Sequence, residues 1–414
     1  MNGSFFHQLP SSIFVTRGNN MLDDMDALME KYEIDGLFSY GSPFDSPNLL
    51  WLTGFRSGDR IFYLQNKGEE GIIGAPFNTL DRAKKESFVK RTYDMSESVV
   101  QLLKENKPVM EHRDALFGPM LQELFTGNVL GVPDEIPASI LVLIQKLGYE
   151  VKVVRDLVPD ARATKTSKEI KMVKKAGDAT VGAIKKVVEM IKDSDVGTNK
   201  TLMHNGSPLT VGKVKIALEH FLLDKNAESS EDTILAVGDK AFDWHYLGNP
   251  EDELKADVPI ILDVFPRLKQ DRYVADVTRT IVKGTPSKRV KEMFEAVQAA
   301  VDAVVDVLTD GAKIDDVNLA CFNTLKQLGF DSRRLNPDAK DGMTHGLGHG
   351  IGLEVHEQPS MYKREDHFAE GHIMAIEPGV YFEGIGGVRI ENDYAVTKGK
   401  AELLTKNLDN MLWV

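Results

Sequence analysis

A chain of 414 residues, 42% hydrophobic and 27% charged, has the composition of an ordinary soluble globular protein of two or three domains. Its formal net charge of −13 argues against nucleic acid and anionic membrane surfaces as partners. No stretch reaches the roughly 18 apolar residues of a membrane span, and a single cysteine, Cys321, excludes an intrachain disulfide, so a reducing cytoplasm fits best.

The first residues, 1–15, have neither the basic start nor the long apolar run of a signal peptide. Residues 21–31 form an amphipathic helical pattern with Leu22, Met25, Leu28 and Met29 on one side. A strand is expected at 34–40, with further strands at 61–65, 71–75, 109–111, 128–132 and 151–154, and helical patterns between them such as 137–147. This rhythm reads as an α/β domain. The chain turns polar around 158–165, and Thr166-Ser167-Lys168-Glu169 then makes a capping box for a helix carrying Ile170, Val173, Val181, Ile184, Val187, Val188 and Ile191. The domain cut therefore falls near residue 160, giving domains 1–160 and 161–414. The Asn- and Gly-containing stretch 198–209 reads as a loop. Residues 259–265 and 273–282 read as an antiparallel hairpin, and 287–309 and 315–328 as amphipathic helices. Cys321 lies on the apolar face of the second of these helices, as a core thiol.

Five residues beyond position 260 stand in distinct local phrases: Asp263 after Ile261-Leu262, Asp276 before Val277-Thr278-Arg279-Thr280, His349 between Gly348 and Gly350, Glu377 before Pro378-Gly379, and Glu391 after Arg389-Ile390. Four carboxylates and one imidazole make an oxygen-rich shell suited to two hard or borderline divalent cations. Asp263 and Asp276 are 13 positions apart. A hairpin with an even loop such as Lys269-Gln270 sets them opposite each other on one face. Ile260, Leu262, Val264 and Val277 mark these strands as buried, and buried acids call for a partner. The segment 345–357 holds three of the ten histidines, His345, His349 and His356, among glycines that allow close approach. Its spacing matches neither a P-loop nor a dinucleotide fingerprint.

These phrases resemble the pita-bread metallopeptidase family that includes aminopeptidase P, prolidase, methionine aminopeptidase and creatinase, over about residues 165–405. The phrase Asn48-Leu49-Leu50-Trp51-Leu52-Thr53-Gly54-Phe55 is similar to one in the extra N-terminal domain of the prolidase, aminopeptidase P and creatinase branch. The resemblance implies an α/β (α+β) chain, with a creatinase-like N-terminal domain and a pita-bread domain built on a curved, mainly antiparallel sheet. It implies Asp276 and Glu391 bridging two metals, Asp263 chelating one, and His349 with Glu377 completing the other. It also implies Glu377 as proton acceptor, His245 in substrate binding, His356 at the tetrahedral intermediate, and His345 and Arg389 in proton shuttling and site support. The implied cofactors are two divalent ions, Mn²⁺ or Co²⁺ first, then Zn²⁺ or Fe²⁺. The implied substrate is a small peptide with proline after the scissile bond, and the implied assembly a homodimer. Lys363, Arg364 and His367 precede Glu377 near where prolidases bind a substrate carboxylate, which tilts the reading from an Xaa-Pro aminopeptidase on longer peptides to a dipeptidase. A creatinase-type amidinohydrolase and a non-catalytic peptide- or protein-binding module are the other readings. The chain departs from the family at Val264-Phe265-Pro266-Arg267, where Gly is usual, and in an Asp-to-Asp spacing two residues longer than common; both changes keep the parity. The segment 198–225 is also longer than expected.

Overall fold

The computed structural model describes residues 25–414, which fall into two compact units, one up to Arg162 and one from Ala163 onward. The readings made on residues 1–15, and Leu22 of the first helix, lie outside the described residues.

The first unit is built on a mixed six-stranded sheet in the order Arg91–Asp94, Ile72–Ala75, Ile61–Asn66, Gly36–Gly41, Val129–Val132, Glu150–Val153. Phe38, Phe62, Leu64 and Leu130 from the strands pack with Phe117, Leu121, Ile140 and Ile144 from helices Asp114–Leu124 and Ala138–Lys146. The phrase at 48–55 forms a helix, Pro47–Thr53, whose first turn is capped by Ser46 and whose end is closed by Gly54 in the left-handed region. The expected strand at 109–111 is instead a turn, in which Glu111 and His112 both donate to the carbonyl of Pro108. The edge strand the sheet does use, Arg91–Asp94, has no fully buried residue and so shows no apolar pattern to read.

In the second unit the capping box is present on Ser167–Lys192: Thr166 Oγ1 accepts from Glu169 N at 3.3 Å, and Glu169 Oε2 accepts from Thr166 N at 2.7 Å. Replacing Thr166 by alanine removes one of these bonds and should lower the unit's unfolding free energy by about 1 kcal/mol. Urea unfolding followed by circular dichroism measures this, and an unchanged midpoint would show the cap to be idle. This helix and Val211–Asp224 cover one face of a sheet ordered Ile234–Val237, Ile260–Val264, Val277–Val282, Leu412–Trp413. Helices Lys288–Val307 and Ile314–Gln327 pack on a second core with Met374, Ile376, Val380, Val388 and Ile390. Those residues come from a sheet ordered Gly348–Gly350, Ile373–Ile376, Asn392–Ala395, Glu402–Leu403, and from the hairpin Gly379–Phe382 with Gly386–Arg389. Apart from the terminal Leu412–Trp413 strand, every strand pair in these three sheets is antiparallel. Cys321 is buried against Met343, and burial pushes its thiol pKa up.

Two local expectations are corrected. The stretch 198–209 is not a loop throughout: Leu202–His204 and Ser207–Pro208 are strands of a small antiparallel sheet with Asp195–Val196. Its turn is Asn205-Gly206, both with positive φ, which is the two-residue hairpin pattern that the polar composition concealed. The hairpin that carries Asp263 turns later than expected. Asp263 pairs with Thr278, and the same register continues to Arg267 and Val274, so the loop takes four residues, 269–272, with Arg272 in the left-handed region. Asp263 and Asp276 are thus diagonal rather than opposite, but an even shift leaves both on the same face.

Candidate metal centre

Strand alternation delivers the acids. In Ile260–Val264 the side chains of Ile260, Leu262 and Val264 enter the helix-covered core, which leaves Asp263 on the other face. Val277 and Ile281 do the same and leave Asp276, Thr278 and Thr280 with Asp263. Ile376, Val388 and Ile390 enter the second core and leave Glu377, Arg389 and Glu391 facing away from it. The short Gly348–Gly350 strand lies beside Ala375, where a Cβ on Gly348 would collide with the Ala375 carbonyl. Glycine there lets His349 reach the same hollow.

The groups meet around His349 Nε2, which lies 3.7 Å from Asp276 Oδ2, 3.9 Å from Glu391 Oε1 and 4.0 Å from Glu377 Oε1. Nδ1 of the same ring donates to the Gly350 carbonyl at 3.2 Å, so in the neutral ring the Nε2 lone pair faces the carboxylates. A lone pair facing carboxylate oxygens at these distances makes no hydrogen bond, whereas a cation placed about 2 Å from each donor suits them all. Asp276, His349 and Glu391 each offer a ligand atom within 4.8 Å of the others, and Oδ1 of Asp263 and of Asp276 are buried without a hydrogen-bond partner. The donors therefore fit a divalent metal.

Arg389 is the buried hub behind them. Its Nη2 donates to Asp263 Oδ2 at 2.6 Å, Nε to Thr278 Oγ1 at 3.0 Å and Nη1 to the Tyr381 hydroxyl oxygen at 2.9 Å. Thr278 Oγ1 in turn donates a hydrogen bond to Glu391 Oε2 at 2.7 Å. Because the Tyr381 oxygen accepts from Arg389, its O–H is free to donate to His345 Nε2 at 2.9 Å, while His345 Nδ1 donates to the Gly346 carbonyl at 2.7 Å. These bonds suit a neutral His345.

The electrostatics follow from crowding. Burial first, then the charges of Glu391 and Asp263, push the Asp276 carboxyl well above its usual range. Burial, then Glu377 and Asp263, push Glu391 up against the opposing pull of Arg389. Burial carries Glu377 up to about 7, with Arg389 opposing. Burial and Arg389 push His345 down to about 3, and burial and His356 push His349 down to about 4. Divalent cations supply the counter-charge that would return these acids to the ionised state.

The four acids and His349 converge here. His356 stacks beside His349, with ring centroids 4.3 Å apart. His345 lies 3.9 Å from Glu377 Oε2. His245 is exposed on the short segment after the 3₁₀ turn Gly238–Phe242, next to Trp244, whose indole is 5.2 Å from His345. Burial and Arg389 lower the His245 pKa. Arg364 lies against Asp315 at 4.0 Å. Sequence reading missed Tyr381, Asp393 and Arg279. Asp393 is fully buried, and its carboxylate accepts from the backbone N–H of Asp276 at 3.0 Å. Arg279 is fully buried and donates to the carbonyls of Thr278 and Glu391 and to Asn392 Oδ1. For Arg279 the available signal was a charged residue between Val277 and Ile281 on the apolar side of its strand, whereas the Asn392–Ala395 strand of Asp393 is polar and offers none.

Helix-backed antiparallel sheets converging on four carboxylates and a correctly oriented imidazole define a metal-dependent hydrolase. The model of metallopeptidase family M24 matches residues 171–398, and the chain belongs to that family. It is similar to the Xaa-Pro dipeptidase of Pyrococcus horikoshii, 26% identical over 396 residues that cover 94% of this chain and 97% of the relative. It is also similar to the Xaa-Pro dipeptidase of Pyrococcus furiosus, 28% identical over 358 residues that cover 84% of this chain and 88% of the relative. Among solved structures, a prolidase from Pyrococcus horikoshii superposes with a TM-score of 0.74 at 25% identity, covering 95% of this chain and all of the other. The chain is thus a metal-dependent peptidase with the pita-bread architecture. Among the described residues no helix is long and apolar enough to cross a membrane.

Proposed function

We propose that this chain is a dinuclear-metal Xaa-Pro peptidase that releases the N-terminal residue, with dipeptides preferred. Residues 161–414 form its catalytic domain, and the described residues before them, 25–160, form a creatinase/prolidase-like domain. The observation that carries the reading is the His349 Nε2 lone pair aimed at three carboxylates that sit at the ends of different strands. Asp276 and Glu391 would bridge two ions, Asp263 would hold one, and His349 and Glu377 the other. Mn²⁺ and Co²⁺ are the ions we favour for this oxygen-rich shell. Bound there, the ions would acidify a shared water and polarise the scissile carbonyl.

The chain's own groups do the rest. Glu377, at the edge of the hollow with part of its side chain open to solvent, accepts the proton of the attacking water. His356 donates a hydrogen bond to the oxyanion as it forms. His245 holds the substrate from the exposed side, and the Arg389–Tyr381–His345 chain keeps Asp263 and His345 in register. The Xaa-Pro preference is supported by the names of the Pyrococcus relatives and by the likeness of the N-terminal phrase, and the dipeptide preference by the basic loop at 363–367.

The experiment is a comparison of Ala-Pro, Ala-Pro-Ala and Ala-Ala hydrolysis by protein loaded with Mn²⁺ or Co²⁺. Ala-Pro is expected to be cleaved fastest. Cleavage of Ala-Pro-Ala with Ala-Pro untouched would turn the reading to an aminopeptidase, and inertness toward both would remove it. Retention of all five donors in one hollow disfavours both the creatinase-type chemistry and a purely binding role.

A further inference from the structure

A buried ion pair lies outside the donor set, and the chemistry above makes no use of it. Lys165 Nζ and Glu357 Oε1 are 2.6 Å apart, with only 2% of either side chain exposed. Taking two charges out of water is costly unless further hydrogen bonds complete them. Here they do. Glu357 Oε2 accepts from the backbone N–H groups of Leu353 at 3.1 Å and Glu354 at 3.3 Å, and Lys165 Nζ donates to the carbonyls of Ala163 at 3.2 Å and Gln358 at 3.4 Å. The pair thus ties the middle of the loop that follows the Gly348–Gly350 strand, at Leu353 and Glu354, to its far end at Gln358. Glu357 N also closes this loop onto the Gly350 carbonyl at 2.9 Å, and Val274 N, two residues before Asp276, donates to the Gly352 carbonyl at 2.8 Å. Gly352 makes room for the charges: a Cβ there would collide with Glu357 Oε1 and Lys165 Cε. His356 sits next to Glu357 in this loop, with its ring beside that of His349.

We infer that the Lys165–Glu357 pair positions His356: it clamps the 350–358 loop so that the imidazole is held over the reacting carbonyl. Lys165 and Glu357 are positioning residues, and they act through His356. This rests on the peptidase reading given above. A donor that works only in the transition state affects kcat and leaves KM nearly untouched, so misplacing it has that signature.

The test is a mutant cycle on the metal-loaded full chain with Ala-Pro as substrate. Glu357→Gln and Lys165→Met are each expected to lower kcat by between about 10- and 100-fold, with KM and bound metal unchanged. In a His356→Ala background neither change should cost anything further, because the group they position is gone. Should either single variant fail to fold, Gly352→Ala, which keeps both charges and crowds them apart, replaces it. The double variant Lys165→Met/Glu357→Met is expected to unfold near the wild-type temperature, since an apolar pair can replace a buried ion pair. Its kcat should stay low, because the Leu353 and Glu354 N–H groups have lost their acceptor. Recovery of kcat together with stability would reduce the pair to a structural brace and overturn the inference, as would losses that multiply with that of His356→Ala. Wild-type kcat in His356→Ala would overturn the His356 reading and the inference with it. Slow His356→Ala beside an unimpaired Glu357→Gln would overturn the inference alone.

Discussion

Asp276→Asn should abolish turnover and leave the fold intact. Asparagine keeps the size and one acceptor oxygen of the side chain but removes the charge that would be shared between two cations. The expected loss in kcat is on the order of 10³-fold or more, the scale of removing a group that stabilises charge at a reacting centre. The stability effect has the opposite sign. Asp276 is buried beside Glu391 and Asp263, which push its carboxyl toward the protonated form. Neutralising it relieves that repulsion, so the chelated variant should unfold at or above the temperature of the chelated wild type. Activity with excess Mn²⁺ and melting curves in chelator measure the two effects separately. Near-normal turnover would sink the bridging role of Asp276.

Arg389→Met should be the most destabilising single change at the site, and its cost should depend on metal. Without the guanidinium, Asp263 becomes an uncompensated buried carboxylate, and Thr278 and Tyr381 each lose a donor. Removing one partner of a buried pair typically costs about 3–5 kcal/mol. Cations bound at Asp263 would provide part of the missing counter-charge, so the loss should be larger in chelator than with Mn²⁺ present. Urea unfolding under both conditions reads the difference directly. Equal losses would mean that Asp263 does not face the metal.

Much of this was legible in the amino-acid sequence, for identifiable reasons. Asp263, Glu377 and Glu391 sit in short runs of Ile, Leu, Val and Met, so the period of two that buries one face of each strand also marks the acid as the residue turned to the other face. His349 stood out through its glycines, and Gly348 proves to be where the neighbouring backbone comes too close for any side chain. The capping box fixed the start of the long helix within a residue. What escaped was set by tertiary contacts. The turn at 269–272 depends on Arg272 accepting a left-handed backbone, which its side chain does not announce. Tyr381 reads as one more apolar strand residue until Arg389 and His345 are found on either side of its hydroxyl. Asp393 and Arg279 face partners more than a hundred positions away. Lys165 and Glu357 are 192 positions apart, and nothing local to either predicts that both are buried.

Arg389 also sets the electrical balance of the working site. Its one positive charge stands among the four acids, so two divalent ions would leave the loaded hollow with a surplus of a single positive charge once the attacking hydroxide has been spent. Such a cavity favours a singly charged anionic guest over an uncharged one. The intact peptide link is neutral, whereas cleavage creates a carboxylate at that spot. The field would then hold on to what has been made more firmly than to what arrives, and letting go of the freed amino acid becomes the step that works against the electrostatics.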